Sequence, residues 1–185
     1  MSLERTLVIL KPDAAERNLV SEIVSRFTEM RFKIIAWKKL MATTEHLKGH
    51  FPVTEQWVID MGSRARTRVS EEKGLDPTKF FEVTTDYETG MKIIKGCHDY
   101  YVSGPLIVFV LERDGAISFA RTLIGNTLPS KAEKGTIRGD YGVPENLEKL
   151  RGGAVRNLVH ASDAGDAERE IRAWFNEEEL RKVTV

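Results

Sequence analysis

The chain has 185 residues, of which 41% are hydrophobic and 30% charged, a balance typical of a folded domain with a substantial core. Its 28 basic and 28 acidic residues cancel, which argues against a general attraction to nucleic acid. A single cysteine excludes an internal disulfide and a cysteine-rich zinc site, so we expect a reducing, cytoplasmic compartment. The sequence shows no signal-peptide pattern and no apolar run of membrane-spanning length.

The first half of the chain predicts two strands with helices between and after them. Residues 6–10 form a β-rich run that must stop near Pro12, because proline cannot donate to a sheet ladder. Apolar residues recur at helical spacing over residues 20–30, and residues 32–40 predict a second strand. Thr44 resembles the N-cap of a short helix that ends at His50.

Residues 52–90 are polar and irregular, and they predict added helices around a loop at residues 74–77. Residues 106–111 are apolar on both faces, as in a central strand. An amphipathic helix over 114–124, a long loop over 125–140, a short strand over 157–159 and a closing helix over 167–175 follow. This order predicts an α+β fold with a ferredoxin-like βαββαβ antiparallel sheet, helices packed on it, and a single domain over residues 1–185.

Phosphate binding in this chain would depend on side chains, since neither common glycine-rich nucleotide motif is present. Lys11 follows the first strand at its carboxyl end, where open sheets often bind ligands. Arg121 and Arg138 could supply forked donors to phosphate oxygens, but taken singly each arginine is more typical of a solvated surface residue. Other polar candidates, which loops also use for turns and caps, are Thr127, Asn157 and Ser162.

His160 follows an apolar pair at residues 158–159, which predicts a position where a short strand gives way to a loop. One imidazole nitrogen can attack as a nucleophile while the other is held by a hydrogen bond, and nearby cations would suit phosphoryl transfer. A structural histidine is the alternative. Glu170, on the closing helix, could orient the imidazole or be solvated. The remaining histidines show no metal-ligand spacing and receive no role: His46, His50 and His98.

Several segments, taken in order, resemble the nucleoside diphosphate kinase family. They are ERTLVILKPD at residues 4–13, SGP at 103–105, GNT at 125–127, GTIRGD at 135–140, NLVHASD at 157–163 and WF at 174–175. The resemblance covers most of the chain outside residues 52–90. It implies a ping-pong enzyme that moves the γ-phosphate of a nucleoside triphosphate such as ATP onto a nucleoside diphosphate.

The resemblance also implies a role for each site residue. His160 matches the family's phosphorylated histidine (a pros-phosphohistidine), and Glu170, with Ser162 nearby, matches the acid that holds the other ring nitrogen. The matching phosphate and ribose ligands are Lys11, Arg121, Thr127, Arg138 and Asn157. Magnesium would arrive bound to the nucleotide phosphates, without metal ligands from the protein. The family forms homo-oligomers (hexamers, tetramers or dimers), so self-association is expected, with no nucleic-acid or membrane partner.

The chain departs from the family pattern on the side that binds the base. Phe51 stands where the family usually has a tyrosine, whose hydroxyl could be replaced by that of Tyr87, Tyr100 or Tyr101. Ile93 stands where the short forms stack the base on a phenylalanine. Insertions at about 52–90 and 141–153 resemble those of long-form members. These departures leave open an alternative, a low-activity regulatory or scaffold homologue that binds nucleotide.

Overall fold

The computed structural model describes residues 3–181, without the side chains of residues 148 and 149. It divides into two compact units. The sheet unit contains the residues up to His50, Tyr101–Pro144, and those from Arg156 onward. The helical unit contains Phe51–Tyr100 and Glu145–Val155. Within the described range, none of the helices combines the length and apolar character needed to cross a lipid bilayer.

The sheet unit is built on four strands in the order β2-β3-β1-β4, and every neighbouring pair is antiparallel. The strands are β1 (Leu3–Leu10), β2 (Lys33–Leu40), β3 (Leu106–Asp114) and β4 (Val159–Ala161). The central pair, β1 and β3, is buried over most of its length, as its apolar sequence requires. This topology confirms the predicted ferredoxin-like α+β fold.

In chain order the helices are α1 (Pro12–Glu16), α2 (Val20–Glu29), α3 (Thr44–His50), α4 (Glu55–Lys73), α5 (Pro77–Phe81), α6 (Asp86–Tyr101), α7 (Ala116–Ile124), α8 (Ile137–Tyr141), α9 (Leu147–Arg151), α10 (Ala167–Trp174) and α11 (Glu177–Arg181), with a 3-10 turn at Pro129–Lys131. The main core joins the apolar faces of α2 and α7 to one face of the sheet, through residues such as Val8, Phe27 and Phe109. Alternate residues of β1 point the other way, and α10 packs against β1.

Three local predictions near the site were wrong. The last strand is Val159–Ala161 rather than 157–159, because Leu158 adopts a left-handed conformation (φ 69°) that delays the ladder. The predicted loop over 125–140 contains the 3-10 turn and α8, which begins where the Thr136 side chain accepts from the Gly139 amide at 3.1 Å. For α3, the residue whose hydroxyl accepts from a first-turn amide is Thr43, not Thr44.

The helical unit confirms the predicted helical insertion at about 52–90 and brings a distant segment to it. Helix α4 ends at Gly74, whose left-handed conformation (φ 63°) suits glycine. Residues Val69, Phe80 and Phe81 form a small core, and Leu150 from the second segment packs against it. Most of the two expected insertions, at about 52–90 and 141–153, therefore lies in one compact unit, made of residues 51–100 and 145–155.

Candidate active site

His160 is the middle residue of β4 and pairs with Ile9 of β1. Its side chain is 20% exposed, so the imidazole is partly covered yet open to a ligand. A three-residue strand at the edge of the sheet offers few contacts of its own. The orientation of this ring must therefore be set by neighbouring elements.

Glu170, on α10, holds one nitrogen of that ring. Its Oε2 lies 2.8 Å from Nε2 of His160 and also accepts a hydrogen bond from the Ser162 hydroxyl at 2.6 Å. The Leu7 amide donates to that hydroxyl at 3.3 Å, which fixes it to β1. Burial alone would raise the pKa of Glu170, but the charge of His160 and the hydrogen bonds lower it to about 2. An ionised carboxylate accepts, so in the neutral form of His160 the proton lies on Nε2 and Nδ1 keeps its lone pair.

His50, which received no role from sequence spacing, lies beside this pair at the end of α3. Its ring centroid is 4.7 Å from that of His160, at an interplanar angle of 80°. The Trp174 indole donates to its Nδ1 at 3.4 Å, and the same Nδ1 lies 3.7 Å from Oε1 of Glu170. Burial, reinforced by the charge of His160, lowers the pKa of His50 to about 3, so the ring is neutral near pH 7. The signal in the sequence that could have identified His50 as a site residue is its position next to Phe51, a predicted base-side residue.

Close packing of α3 on α10 carries His50 to this position. A Cβ atom added to Gly49 would lie 2.6 Å from Cβ of Ala173, so glycine permits the approach. The Arg169 guanidinium, from α10, donates to the carbonyl oxygens of Gly49 and His50. The helix that carries His50 is thus fastened directly to the helix that carries Glu170.

Lys11, Asn157 and Thr127, predicted far apart in the sequence, meet in the structure. The Lys11 ammonium donates to Oδ1 of Asn157 at 2.7 Å, and both residues are buried. The Asn157 amide donates in turn to the Thr127 carbonyl oxygen at 2.8 Å. Thr127 is exposed, so this series of hydrogen bonds connects a buried cation, through two polar residues, to the surface.

The two predicted arginines both contact the strand of His160, but in different ways. Arg138 is buried and donates to the carbonyl oxygens of Asn157, Gly125 and Val159 at 3.2, 2.8 and 2.7 Å. Arg121 is exposed; its Nη1 lies 3.4 Å from the Ala161 carbonyl oxygen and its Nη2 lies 3.0 Å from Oδ1 of Asp163. Arg138 therefore supports the backbone around His160, whereas Arg121 holds an exposed ion pair.

The residues predicted for the base side, Phe51 and Ile93, belong to the helical unit. The Phe51 ring packs against those of Trp57 and His98, at centroid distances of 6.4 and 5.2 Å. Ile93 approaches Gly153, where an added Cβ would lie 2.6 Å from the Ile93 Cα.

Among the tyrosines considered as replacements at position 51, Tyr101 lies in the sheet unit with His160. Its ring centroid is 5.6 Å from Nζ of Lys11 and 5.5 Å from the His50 ring. Tyr87 and Tyr100 lie in the helical unit, where Tyr87 is exposed and Tyr100 is buried. Tyr101 is accordingly the tyrosine whose ring contacts candidate site residues within one unit.

Over the described residues, the group able to offer three metal ligands together is His50, His160 and Glu170, whose ligand atoms lie within 4.8 Å of one another. Two imidazoles and one carboxylate suit a transition metal, whereas magnesium prefers oxygen ligands and water. The hydrogen bonds from His160 and Ser162 to Glu170 already engage this group. We assign no metal to it.

Comparison with known proteins identifies relatives along the whole chain. The family model described as nucleoside diphosphate kinase matches residues 4–58 and 78–180, and the unmatched stretch between them falls mainly in α4. A nucleoside diphosphate kinase of Pyrobaculum aerophilum is 42% identical over 182 residues, covering 97% of this chain and 99% of the relative. One from Sulfurisphaera tokodaii is 36% identical, covering 97% and 94%.

Solved structures are similar as well. An NDP kinase from Pyrobaculum aerophilum has a TM-score of 0.88 at 41% identity, covering 97% of this chain and 99% of that chain. A nucleoside-diphosphate kinase from Borrelia burgdorferi, solved as a transition state mimic with bound vanadate and ADP, has a TM-score of 0.71 at 29% identity, covering 96% and 89%.

Proposed function

Since this chain belongs to the nucleoside diphosphate kinase family, we propose that it transfers the γ-phosphate of ATP to nucleoside diphosphates through a phosphohistidine at Nδ1 of His160. The family catalyses phosphate transfer between nucleotides, and this chain is an enzyme of that class. The observation that carries the proposal is the contact between Nε2 of His160 and the ionised Glu170, at 2.8 Å. It leaves Nδ1 as the nucleophilic nitrogen.

The proposed reaction has two half-reactions. The lone pair on Nδ1 of His160 attacks the γ-phosphorus, the bond from that phosphorus to the bridging oxygen breaks, and the nucleoside diphosphate leaves with the electron pair. A terminal oxygen of the acceptor diphosphate then attacks the phosphorus, and the P–N electrons return to Nδ1. Glu170 stabilises the positive charge that the ring gains while Nδ1 forms the new bond.

The candidate phosphate ligands would provide most of the remaining stabilisation, because phosphoryl transfer depends mainly on positioning and charge. Lys11, held by Asn157, presents a buried cation. Arg121 would exchange Asp163 for a phosphate group, since its ion pair is exposed and therefore weak. Arg138 would add donors while it supports the backbone, and Thr127 would add a neutral hydroxyl.

We also propose that Mg²⁺ enters with the nucleotide, held by the phosphate oxygens. Such an ion, when bound, would neutralise part of the negative charge on the transferring group. The connected residues Lys11, Asn157 and Thr127 supply a cation and neutral donors. Such groups suit a phosphate that carries a metal ion better than a bare metal ion, because Mg²⁺ prefers carboxylate and phosphate oxygens.

We further propose that the two units act as one kinase domain, that the chain forms a homo-oligomer and that it works in the cytoplasm. The family resemblance supports self-association, and the single cysteine supports a reducing compartment. A hexamer, a tetramer and a dimer are distinguished by light scattering on the eluted protein. Fractionation of cells that express the chain tests the compartment.

Incubation of the purified protein with ATP labelled on its γ-phosphate tests the mechanism. We expect acid-labile, base-stable label on the wild-type chain, no label on His160→Ala, and release of label to added GDP or CDP. Label that survives in His160→Ala would contradict the phosphohistidine assignment. Labelling without transfer would favour the alternative, a nucleotide-binding regulatory or scaffold homologue, for which Phe51 in place of tyrosine is the supporting observation.

A further inference from the structure

We propose that His50 is a positioning residue for phosphoryl transfer: its neutral imidazole braces the His160 ring so that Nε2 stays on Glu170 and Nδ1 stays available to the phosphoryl group. This inference rests on the proposed role of His160 as the nucleophile. It assigns His50 no contact with substrate, so its effect must appear in the chemical step rather than in nucleotide binding.

The first support is packing. His50 has a side chain only 2% exposed, and its ring meets that of His160 nearly edge-to-face, at 4.7 Å and 80°. Rings in this arrangement constrain each other's tilt, because the positive edge of one faces the negative face of the other. His160 sits on a short edge strand, so a lateral contact of this kind supplies orientation that β4 lacks.

The second support is the placement of the His50 proton. Nδ1 accepts from the Trp174 indole at 3.4 Å, so the proton of the neutral ring is on Nε2. Nδ1 also lies 3.7 Å from Oε1 of Glu170 and, without a proton, has nothing to donate to it. His50 therefore stands next to the carboxylate without competing with His160 for it.

The charges around His50 favour this neutral state. A neutral His50 adds no second positive charge beside the His160 ring. Three cationic or ionisable groups act to lower its pKa and one carboxylate acts to raise it, with burial as the main cause. The charged and titratable groups that face it are His160, Lys11, Arg169, Glu170 and Tyr101.

The third support is the rigidity of the mount. The Arg169 guanidinium donates to the backbone carbonyls of Gly49 and His50, and Gly49 brings α3 within close contact of Ala173. A brace must itself be fixed, and here it is fixed to the helix that carries Glu170. Helices α3 and α10 thus hold the His160 ring as one assembly.

The test compares His50→Leu with His46→Gln in the full-length protein. His46 is a matched control because its ring stacks on that of Trp174, at 4.7 Å and 1°, yet it makes no hydrogen bond or ring contact with His160. We expect His50→Leu to slow the single-turnover phosphorylation of His160 by about 10- to 100-fold, as a small misplacement of a reacting group does. The dissociation constant for ADP should stay unchanged, and His46→Gln should phosphorylate at the wild-type rate.

A spectroscopic readout separates positioning from general destabilisation. Nitrogen-15 NMR of the histidine rings should find the His160 proton on Nε2 in the wild type and divided between both nitrogens in His50→Leu. A folded His50→Leu with the wild-type rate and the wild-type tautomer overturns the inference, as does an equal loss of rate in His46→Gln.

If His50→Leu does not fold, His50→Asn decides, because its amide oxygen can replace Nδ1 as the indole's acceptor but cannot brace the ring. The same loss of rate with a mixed His160 tautomer supports the inference, and the wild-type rate refutes it. A wild-type protein that takes no label at all would instead refute the proposed function.

Discussion

Nε2 of His160 lies 2.8 Å from Oε2 of Glu170, although the two residues are ten positions apart and sit on different elements, β4 and α10. The turn between them reverses the chain so that the first turn of α10 faces the strand it has just left. Ser162, between them, donates to the same oxygen at 2.6 Å. The carboxylate thus engages Nε2 of the imidazole, and the proposed phosphoryl transfer would use Nδ1.

Glu170→Gln should lower kcat by about 100-fold while the nucleotide KM changes little. The amide can still accept a hydrogen bond but lacks the negative charge that we propose stabilises the transition state, and loss of one such group typically has an effect of this size. Ser162→Ala is the control, with a decrease of about tenfold, because it removes one hydrogen bond to the ionised carboxylate, which contributes about 1.5 kcal/mol, and leaves the negative charge in place. Steady-state kinetics with a coupled assay for ADP measure both variants. Equal losses would argue against a role for the charge.

Arg138 and Arg121 should respond differently to the same conservative change. Arg138→Lys should lower the melting temperature, since a lysine cannot span the three carbonyl oxygens that the guanidinium contacts. Arg121→Lys should leave the melting temperature unchanged, because an exposed ion pair contributes about 0–1 kcal/mol, and should raise the KM for nucleotide. Thermal unfolding and initial rates test the pair. A stable Arg138→Lys variant would contradict the backbone role.

Tyr101→Phe should reduce kcat by about tenfold if its hydroxyl replaces the one missing at Phe51, a loss equivalent to about 1.4 kcal/mol. The expectation comes from its ring, which lies against Lys11 and His50. Tyr87→Phe is the control, since Tyr87 is exposed and belongs to the helical unit. Turnover of ATP and GDP by the two variants measures the difference. No difference between them would remove Tyr101 from the list of replacements.

The buried His50 should make the protein less stable as the pH falls from about 6.5 toward 3. Its pKa is 6.5 in the unfolded chain and is lowered to about 3 by burial in the fold, so between these values the unfolded chain binds a proton that the folded chain does not. The free energy of unfolding is therefore unaffected by this group above pH 6.5, and falls below it by up to about 1.4 kcal/mol per pH unit. Urea unfolding of the wild type and His50→Leu between pH 7.5 and 5 isolates the effect. Parallel curves would contradict a neutral His50.

Much of the fold was predictable because its elements have strong local patterns. The apolar run of β3 predicts a central strand, and the spacing of apolar residues in α2 predicts a helix. The order of such strands and helices along the chain predicts the sheet topology. The sequence predicts β4 two residues too early, because nothing in it indicates that Leu158, a bulky residue, adopts a left-handed backbone conformation. Arg138 was placed in a loop because α8 is a single short helix, begun by one threonine side chain.

The candidate site was predictable in part, through the family resemblance. It indicated His160, Glu170 and the candidate phosphate ligands, all residues whose side-chain chemistry can be recognised from the sequence. The sequence does not indicate the role of His50, because that role depends on tertiary packing. Gly49 permits the close approach of α3 to α10, the indole from α10 donates to the imidazole, and burial keeps the imidazole neutral. Spacing between histidines carries none of that information.

The order in which the two units can fold during synthesis follows from the fact that each unit is built from separate segments of the chain. The helical unit is complete only after residues 145–155 have been added to segment 51–100. Likewise, β1 can pair with β4 only after β4, which lies far along the chain, has been synthesised. Neither unit can close while the ribosome is still adding the middle of the protein. The imidazole that we propose as nucleophile is on the last strand to emerge, and Glu170 emerges after it. A nascent or prematurely terminated chain would therefore carry several of the cationic residues but not the proposed catalytic pair, so we expect no transfer of phosphate before residue 170 has been added.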